Sequence, residues 1–411
     1  MSTMTDGIRD LVHPELFRTE YAGLPKMHYD FRPAWHQLVI IGNGFDLECG
    51  LHSGFGSFIK DRDDVFANEA MNDGANPLGD QRTLWDVVLK ALGDADWCDV
   101  ETAISQWIVP GDSSSSRRPL IDDVLADLEI LGDDWKSNPQ NEASAIAYYL
   151  AQSPEQARRW TRESLIEFSR EELRKFKQDF AKYLKHQQDV TSDYRENARK
   201  TIIELLLNGR PAESEFDIEE SVLSFNYTRP VKKLNSKTKL TTYVNIHGQL
   251  SEDEGTQSDI IFGIDGTGRM DNPEVMPFTK TYRLMALGTA NSRNIVHTPA
   301  TIGSMDYGTD LIKFYGHSLG EADYSYFQAI FDAVHLYDGH TRLIFYYRRH
   351  SKEEKTEREV AEEMREIKTD MMRRVVKLLT AYGNTLDNKD HGKNLIHKLL
   401  IEGRLAVLVL Q

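Results

Sequence analysis

Short runs of hydrophobic residues, each stopped by glycine, asparagine, proline or a charged residue, predict buried β-strands along the chain. The first run is 38–41 (LVII), which stops at Gly42. Runs of the same kind recur at 221–225, 243–246, 259–264, 311–315 and 341–347, and a last one lies at 405–410. Continuous apolar runs of this length are typical of strands in a parallel sheet, which is covered on both faces. We expect the last run to form an edge strand.

Two long segments instead repeat their apolar residues at the spacing of an amphipathic helix. One lies between the first two predicted strands and carries Leu165, Phe168, Leu173, Phe176, Phe180, Tyr183 and Leu184. The other, within 351–380, carries Val360, Met364, Ile367, Met371, Val375 and Leu378 among many Glu, Lys and Arg residues. Core packing explains both stripes, and the charged faces are expected to be solvated.

Strands that alternate with helical segments predict an α/β fold with a mainly parallel, Rossmann-like sheet. We expect an N-terminal extension over 1–36, a core over 37–350 with a large helical insertion at about 61–215, and a C-terminal helical segment over 351–411 with its amphipathic helix. In such sheets ligands bind beyond the carboxyl ends of the strands. The residues that follow each strand are therefore the candidate site residues.

The composition limits the kind of partner. Lys and Arg total 49 and Asp and Glu total 65, which gives a formal net charge of −16. A protein that binds nucleic acid through phosphate contacts usually carries a basic excess instead, although a local basic groove leaves nucleic acid open as a partner. The two cysteines, Cys49 and Cys98, are too few for a disulfide framework or a four-cysteine zinc site, and we expect reduced thiols.

The sequence predicts neither a signal peptide nor a membrane span. Residues 1–10 are charged and lack an apolar core, unlike a secretory signal. The longest apolar stretches, 38–41 and 405–410, are far too short to cross a bilayer. We therefore expect a cytoplasmic protein with no membrane partner.

Small and polar residues follow the first predicted strand, in the order Gly42, Asn43, Gly44, Phe45, Asp46. The two glycines allow a tight turn and a close approach of the backbone to a ligand. A helix expected over 47–60 would point its free N–H groups at this turn and form an anion site. Leu47 stands where the dinucleotide fingerprint needs its third glycine, and the lysine of a P-loop is missing, so a standard dehydrogenase site is not expected.

The later strand ends carry other candidate groups. Asn226 follows the second predicted strand, and its amide both donates and accepts, which suits a sugar hydroxyl. His247, with Gly248 after it, is placed as a general base near neutral pH. The segment GHSLG around Ser318 matches the nucleophile elbow of serine hydrolases. Only one clear strand, 341–347, follows that elbow along the core, so a serine hydrolase is not expected.

Six sequence blocks together resemble the phage abortive-infection AbiH family. They are LVIIGNGFDLECGL from residue 38, WCDVE at 97–101, SFNYT at 224–228, NIHGQL at 245–250, IIFGI at 260–264 and FYGHSLGEADYSYF at 314–327. The order and spacing of the blocks carry the resemblance, which extends from residue 38 to about residue 345. It implies a bacterial antiphage role, but not a particular reaction.

The strand-end motifs are also similar to those of the sirtuin-like NAD-binding fold. This resemblance implies that the turn after the first strand holds the phosphates of NAD, through Gly42, Asn43, Gly44, Phe45 and Asp46. It also implies that Asn226 meets the nicotinamide ribose and that His247, followed by Gly248, is the catalytic histidine. The far end of the cofactor would be closed by Gly316, Ser318, Leu319 and Asp323. Asp46 stands where sirtuins carry a small hydroxyl residue, and Thr228 stands where their asparagine motif has an acid. The zinc-binding cysteine pairs are absent, so protein deacylation is not expected.

The resemblance therefore implies cleavage of NAD at the nicotinamide–ribose bond, with Asn226 and His247 as the catalytic residues. Two alternatives stay open. Asp46, Asp99 and Glu101 would bind a divalent cation in a metal-dependent nuclease, or the glycine turn would serve a non-catalytic nucleotide sensor or scaffold. The expected partners are a nucleotide ligand, a phage-derived trigger, and a second copy of the chain or a partner defence protein.

Overall fold

The computed structural model describes most of the chain, in two compact units. The described residues are 34–72, 82–93, 100–111, 118–131, 141–152, 160–211, 217–231, 240–253, 256–286, 295–297, 308–349 and 355–410. The first unit gathers Met1–Leu51, Ser192–Ile246 and Ala290–Gln411, and the second gathers His52–Thr191 and His247–Thr289. Except for 34–36, the predicted N-terminal extension lies outside the described residues, as do Cys98 and Asp99.

The strands confirm the predicted α/β class. They are β1 (Ala34–Ile41), β2 (Asp217–Ser224), β3 (Leu240–Asn245), β4 (Gly248–Gln249), β5 (Asp259–Ile260), β6 (Thr309–Tyr315), β7 (Arg342–Tyr347) and β8 (Leu405–Val409). Six of them form a parallel sheet in the first unit, in the order β3-β2-β1-β6-β7-β8. Counted along the chain, this is the 3-2-1-4-5-6 order of dinucleotide-binding folds, whose chain direction across the sheet reverses at the first strand.

Most of the predicted runs are strands of this sheet, and the C-terminal run is its edge strand β8. The run at 259–264 is the exception. Only Asp259–Ile260 is a strand, and it pairs antiparallel with β4 in the second unit. Residues Ile261, Phe262 and Ile264 are nevertheless buried, so the apolar run reflects burial and not membership of the sheet.

Helices make up most of the remaining described structure. They are α1 (Asn43–Glu48), α2 (Phe55–Asn72), α3 (Leu84–Leu92), α4 (Val100–Ile108), α5 (Leu120–Leu131), α6 (Glu142–Gln152), α7 (Arg162–Val190), α8 (Tyr194–Leu207), α9 (Lys280–Ala286), α10 (Tyr324–Ala333), α11 (Glu357–Gly383) and α12 (Lys389–Ile401). Helices α2 to α7 and α9 belong to the second unit. Short 3₁₀ helices span Met276–Phe278 and Glu321–Asp323.

Helix α7 forms much of the core of the second unit. The predicted stripe is buried along it, apart from the half-buried Phe168. Its Phe176 and Phe180 rings contact the rings of Phe58 and Phe262 at centroid distances of 5.0 to 6.3 Å. Aromatic pairs at such distances stabilise a core beyond the area that they bury.

Helix α11 is the predicted C-terminal amphipathic helix. It starts after a capping box, in which Thr356 accepts a hydrogen bond from the backbone N–H of Glu359. The buried residues lie in its C-terminal half and include Val375, Leu378 and Leu379. The earlier residues of the predicted stripe are half-buried at the same helical spacing.

The turns after the two central strands, β1 and β6, pack against each other at glycine residues. Gly42 N–H donates to the Tyr315 carbonyl at 3.1 Å, and Gly44 N–H donates to the Gly316 carbonyl at 2.7 Å. A Cβ on Gly44 would lie 2.8 Å from that carbonyl oxygen, and a Cβ on Gly316 would lie 2.2 Å from the Phe45 nitrogen. The turns therefore need glycine because two backbones pack directly against each other.

We expect Gly316→Ala to lower the free energy of unfolding by about 3 kcal/mol or more, because it adds a backbone clash to a left-handed conformation. Gly268→Ala is the matched control, since Gly268 has φ +69° against +67° at Gly316 but open space around its Cβ position. The control is expected to lose only about 1–2 kcal/mol. Urea unfolding of both variants measures the difference, and equal losses would contradict the packing argument.

Candidate functional site

The carboxyl ends of β1, β2 and β6 bring together most of the predicted site residues. The turn after β1 contacts the turn after β6 through Gly44 and Gly316. The loop after β2 reaches both of them: Thr228 hydrogen-bonds Asp46, and the ring of Phe225 lies 4.4 Å from the ring of His317. These contacts hold three strand ends in one cluster at the reversal point of the sheet.

Asp46 is the buried centre of this cluster, with only 1% of its surface exposed. Tyr194, at the start of α8, donates to its Oδ1 at 2.8 Å, and Thr228 donates to its Oδ2 at 2.7 Å. Burial raises the pKa of Asp46 to about 6, although these hydrogen bonds and the nearby Asn226 amide oppose the rise. Both carboxylate oxygens are therefore bonded within the protein.

The helix after the glycine turn differs from the prediction of one helix over 47–60. Helix α1 begins inside the turn, at Asn43, and ends at Glu48, and α2 begins only at Phe55. The N–H groups of Gly44 and Phe45 already donate to the carbonyls of Gly316 and Gly42. The predicted helix bounds are therefore wrong, and two N–H groups of the expected anion site are used internally.

Two residues of the turn after β1 differ in their exposure to solvent. Asn43 is exposed. Phe45 is fully buried in the hydrophobic core and contacts the Tyr315 ring edge-to-face at 6.4 Å. Asn43 thus lies where a ligand can reach it, whereas Phe45 anchors the turn in the core.

The loop that carries Asn226 is held by a residue that the sequence analysis missed. The amide of Asn245, the last residue of β3, donates to the carbonyls of Asn226 and Thr228 at 2.7 and 2.8 Å. The Asn226 N–H also donates to Ser224 Oγ at 3.2 Å. The backbone of the loop is therefore fixed from two strands.

The side chain of Asn226, by contrast, is buried close to the Asp46 carboxyl. It is 4% exposed, and among the described residues neither Oδ1 nor Nδ2 has a hydrogen-bond partner of normal geometry. Leaving a buried amide unsatisfied costs about 1–3 kcal/mol. An unsatisfied amide on a fixed loop is suited to a polar ligand group, because the ligand would supply the missing bonds.

The turn after β6 contains the elbow-like segment. Ser318 is exposed, and Leu319 takes a positive φ of 56°. The neighbouring His317 is buried; its Nδ1 accepts from the Leu319 N–H at 2.9 Å and its Nε2 lies 3.5 Å from Asp323 Oδ2. Both ring nitrogens are therefore engaged away from Ser318, and His317 does not serve it as a base.

The positional argument against a serine hydrolase was wrong in one respect. Strand β6 is central in the sheet, and both β7 and β8 follow it in the chain. The position of the elbow in the sheet therefore does not argue against a serine hydrolase.

His247 and Gly248 belong to the second unit. His247 is 5% exposed, and its carbonyl accepts from the Ile261 N–H at 2.9 Å. Gly248 has φ +81°, and a Cβ there would lie 1.7 Å from the Asp259 carbonyl oxygen. The β4–β5 pairing therefore explains why glycine follows this histidine.

The described residues offer no support for the metal-dependent nuclease. Asp99 lies outside them, and Glu101 forms an ion pair of 2.7 Å with Lys280 in the second unit. The oxygens of Asp46 are hydrogen-bonded to Tyr194 and Thr228. Over the described ranges, no group of three or more His, Cys, Asp or Glu side chains is placed to hold a metal ion.

Of the two residues that support the cluster, Tyr194 and Asn245, only Asn245 could have been predicted from the sequence. Tyr194 opens a helix and lies in none of the quoted motifs, so nothing marked it. Asn245 lies in the NIHGQL block, and its place at the end of a predicted strand was a usable signal.

Comparison with known proteins supplies one match. The family model described as bacteriophage abortive infection AbiH matches residues 38–347. No curated protein and no solved structure matches the chain, so the sirtuin-like resemblance stays a prediction. None of the helices in the described part of the chain has the length and apolar character that a membrane crossing requires.

We expect Thr228→Val to destabilise the protein by about 1–3 kcal/mol above pH 6, because valine cannot donate to Asp46. With a folded pKa of about 6 against 3.8, Asp46 binds its proton more tightly in the folded state, so its contribution to stability falls as pH rises between those values. Loss of the Thr228 bond raises the folded pKa further and extends that fall above pH 6.

Urea unfolding between pH 4 and pH 8 measures this effect. Thr228→Ser keeps the donor and should follow the wild-type profile. A Thr228→Val profile with the wild-type slope above pH 6 would contradict the assignment.

Proposed function

Because the chain belongs to the bacteriophage abortive infection AbiH family, and its role is therefore phage defence, we propose the reaction by which it acts: cleavage of NAD at the nicotinamide–ribose bond. The substrate would lie at the carboxyl ends of β1, β2 and β6. The products would be nicotinamide and ADP-ribose. Removal of NAD would stop the metabolism on which phage replication depends.

The strand order supports a dinucleotide at this place. Sheets of the 3-2-1-4-5-6 order bind dinucleotides in the crevice where the order reverses, which here is between β1 and β6. The exposed Asn43 and Ser318 lie in the two turns at this point.

The unsatisfied amide of Asn226 is the observation that carries the proposal. Its Oδ1 and Nδ2 are buried without normal hydrogen bonds in the described chain, while Asn245 fixes its backbone. An amide fixed in this way can donate to one ribose hydroxyl and accept from another. The arrangement is prepared for a ligand before binding, which lowers the entropic cost of orientation.

The chemistry requires few groups. As the bond between ribose C1′ and the nicotinamide nitrogen breaks, positive charge develops on the ribose, and nicotinamide leaves as a neutral molecule. Asn226 would orient the ribose, and the sirtuin-like resemblance assigns to His247 the role of accepting a proton from the attacking water. Asp46, with a pKa of about 6, is mostly ionised at pH 7 and contributes by holding the β2 loop.

We expect Asn226→Ala and His247→Ala to reduce NAD cleavage at least about 100-fold. Asn226→Ala should leave the protein folded, with a change in the free energy of unfolding of no more than about 2 kcal/mol, because the variant loses the weak contact with Asp46 but also removes an unsatisfied buried amide. Asn394→Ala is the matched control, since Asn394 is exposed and its Oδ1 accepts from the Tyr337 hydroxyl. Chromatography of NAD, nicotinamide and ADP-ribose measures turnover.

Full NAD cleavage in both folded variants would overturn the proposal. Wild-type protein that binds NAD without consuming it would instead favour the non-catalytic sensor. Binding is read separately, by calorimetry of the same preparations.

A further inference from the structure

A cavity of about 360 Å³ in the second unit collects basic side chains. Arg170, Arg174 and Lys177 enter it from α7, and Arg283 enters it from α9. We call it the basic cavity. None of its lining residues belongs to the candidate site at the strand ends, and a volume of this size is typical of a small-molecule pocket.

The positive charge in the basic cavity is poorly neutralised. Glu171 is engaged by Arg174, with an oxygen–nitrogen distance of 2.7 Å, and Glu167 is the other acid in the lining. Arg283 Nε is buried and has no hydrogen-bond partner in the described part of the chain. Four basic groups thus line the cavity with two acids, in a protein whose net charge is −16, and of the four Arg170 and Arg174 are exposed to solvent.

Burial and the neighbouring positive charges lower the pKa values of Lys177 and Arg283. Burial, Arg283 and Arg174 lower the pKa of Lys177 to about 7, and Asp259 opposes this only weakly. Burial and Arg170 lower the pKa of Arg283 to about 10. Lys177 and Arg283 are half-buried, and cations that lie close together and partly away from water destabilise a folded chain unless an anion joins them.

The rest of the basic cavity is apolar. Its lining is completed by Ile260, Ile261, Pro277, Tyr282 and Ala286. An apolar surface with one aromatic ring, next to buried cations, matches a ligand that joins a flat apolar part to an anionic group.

We propose that the basic cavity binds a mononucleotide, with its phosphate between Lys177 and Arg283 and its base against Tyr282 and the apolar residues. The phosphate supplies the anion that the basic side chains lack, and Arg283 Nε gains an acceptor. The proposal does not rest on NAD cleavage, and the site would allow a second nucleotide to bind the protein.

Binding should be linked to proton uptake. The phosphate favours the charged form of Lys177, so the ligand raises its pKa back above 7, and a proton enters from solvent between pH 7.5 and pH 9. Affinity should therefore fall as pH rises through this window, by up to about tenfold per unit. The charged groups that face Lys177 are Arg174, Arg283 and Asp259.

Titration calorimetry with AMP tests the proposal at pH 8, in two buffers of different ionisation enthalpy. Wild-type protein should bind AMP with proton uptake, whereas adenosine, which lacks the phosphate, should bind at least tenfold more weakly. Arg283→Gln and Lys177→Met should each weaken AMP binding about tenfold or more, and Lys177→Met should also abolish the proton uptake. Lys182→Gln is the matched control on α7, since Lys182 is exposed and paired with Asp179.

Absence of AMP binding to wild type, or equal affinity in Arg283→Gln, would overturn the proposal. AMP bound at the strand ends would be weakened by Asn226→Ala and unaffected by Lys177→Met, which would also overturn it. Thermal melting without ligand provides a second measurement: Lys177→Met should melt no lower than wild type, because it replaces an amine whose charged form is disfavoured by its neighbours with an apolar side chain.

Discussion

The buried carboxyl of Asp46 is the interaction on which the strand-end cluster depends. It accepts from Tyr194 and Thr228, so a single side chain joins the β1 turn, the β2 loop and the start of α8. A buried carboxylate without such donors would be strongly destabilising. The position of the Asn226 loop therefore follows from satisfying Asp46, and Asn245 completes its support.

The same bond changes the meaning of the two departures from the sirtuin-like pattern. That pattern has a small hydroxyl residue in place of Asp46 and an acid in place of Thr228. In this chain the residue types are exchanged, and the two side chains bind each other at 2.7 Å. The two positions lie 182 residues apart in the sequence, but in the structure their side chains form one hydrogen bond. A carboxylate close to a pyrophosphate is unfavourable; in this chain both oxygens of Asp46 accept hydrogen bonds from protein side chains.

The sheet could be predicted from the sequence because strands that are buried on both faces consist of continuous apolar runs. The run at 259–264 shows the limit of that signal, since burial without sheet pairing produces the same pattern. The start of α1 was missed because its first residues are the glycine turn, whose composition indicates a loop. Tyr194 was missed because its partner Asp46 lies 148 residues away, and no local pattern reports such a contact.

Burial of a charge or an amide does not by itself indicate a ligand, as Lys313 demonstrates. This lysine is fully buried and its pKa is lowered to about 7, yet it donates to the carbonyls of Leu205 and Leu206 at the end of α8. Its hydrogen bonds are satisfied, and its role is structural. Asn226 and Arg283 differ because their buried polar atoms lack partners in the described chain. An unsatisfied buried group costs stability, and a ligand that supplies the missing bonds removes that cost, so the unpartnered atoms, and not burial alone, support the two proposals.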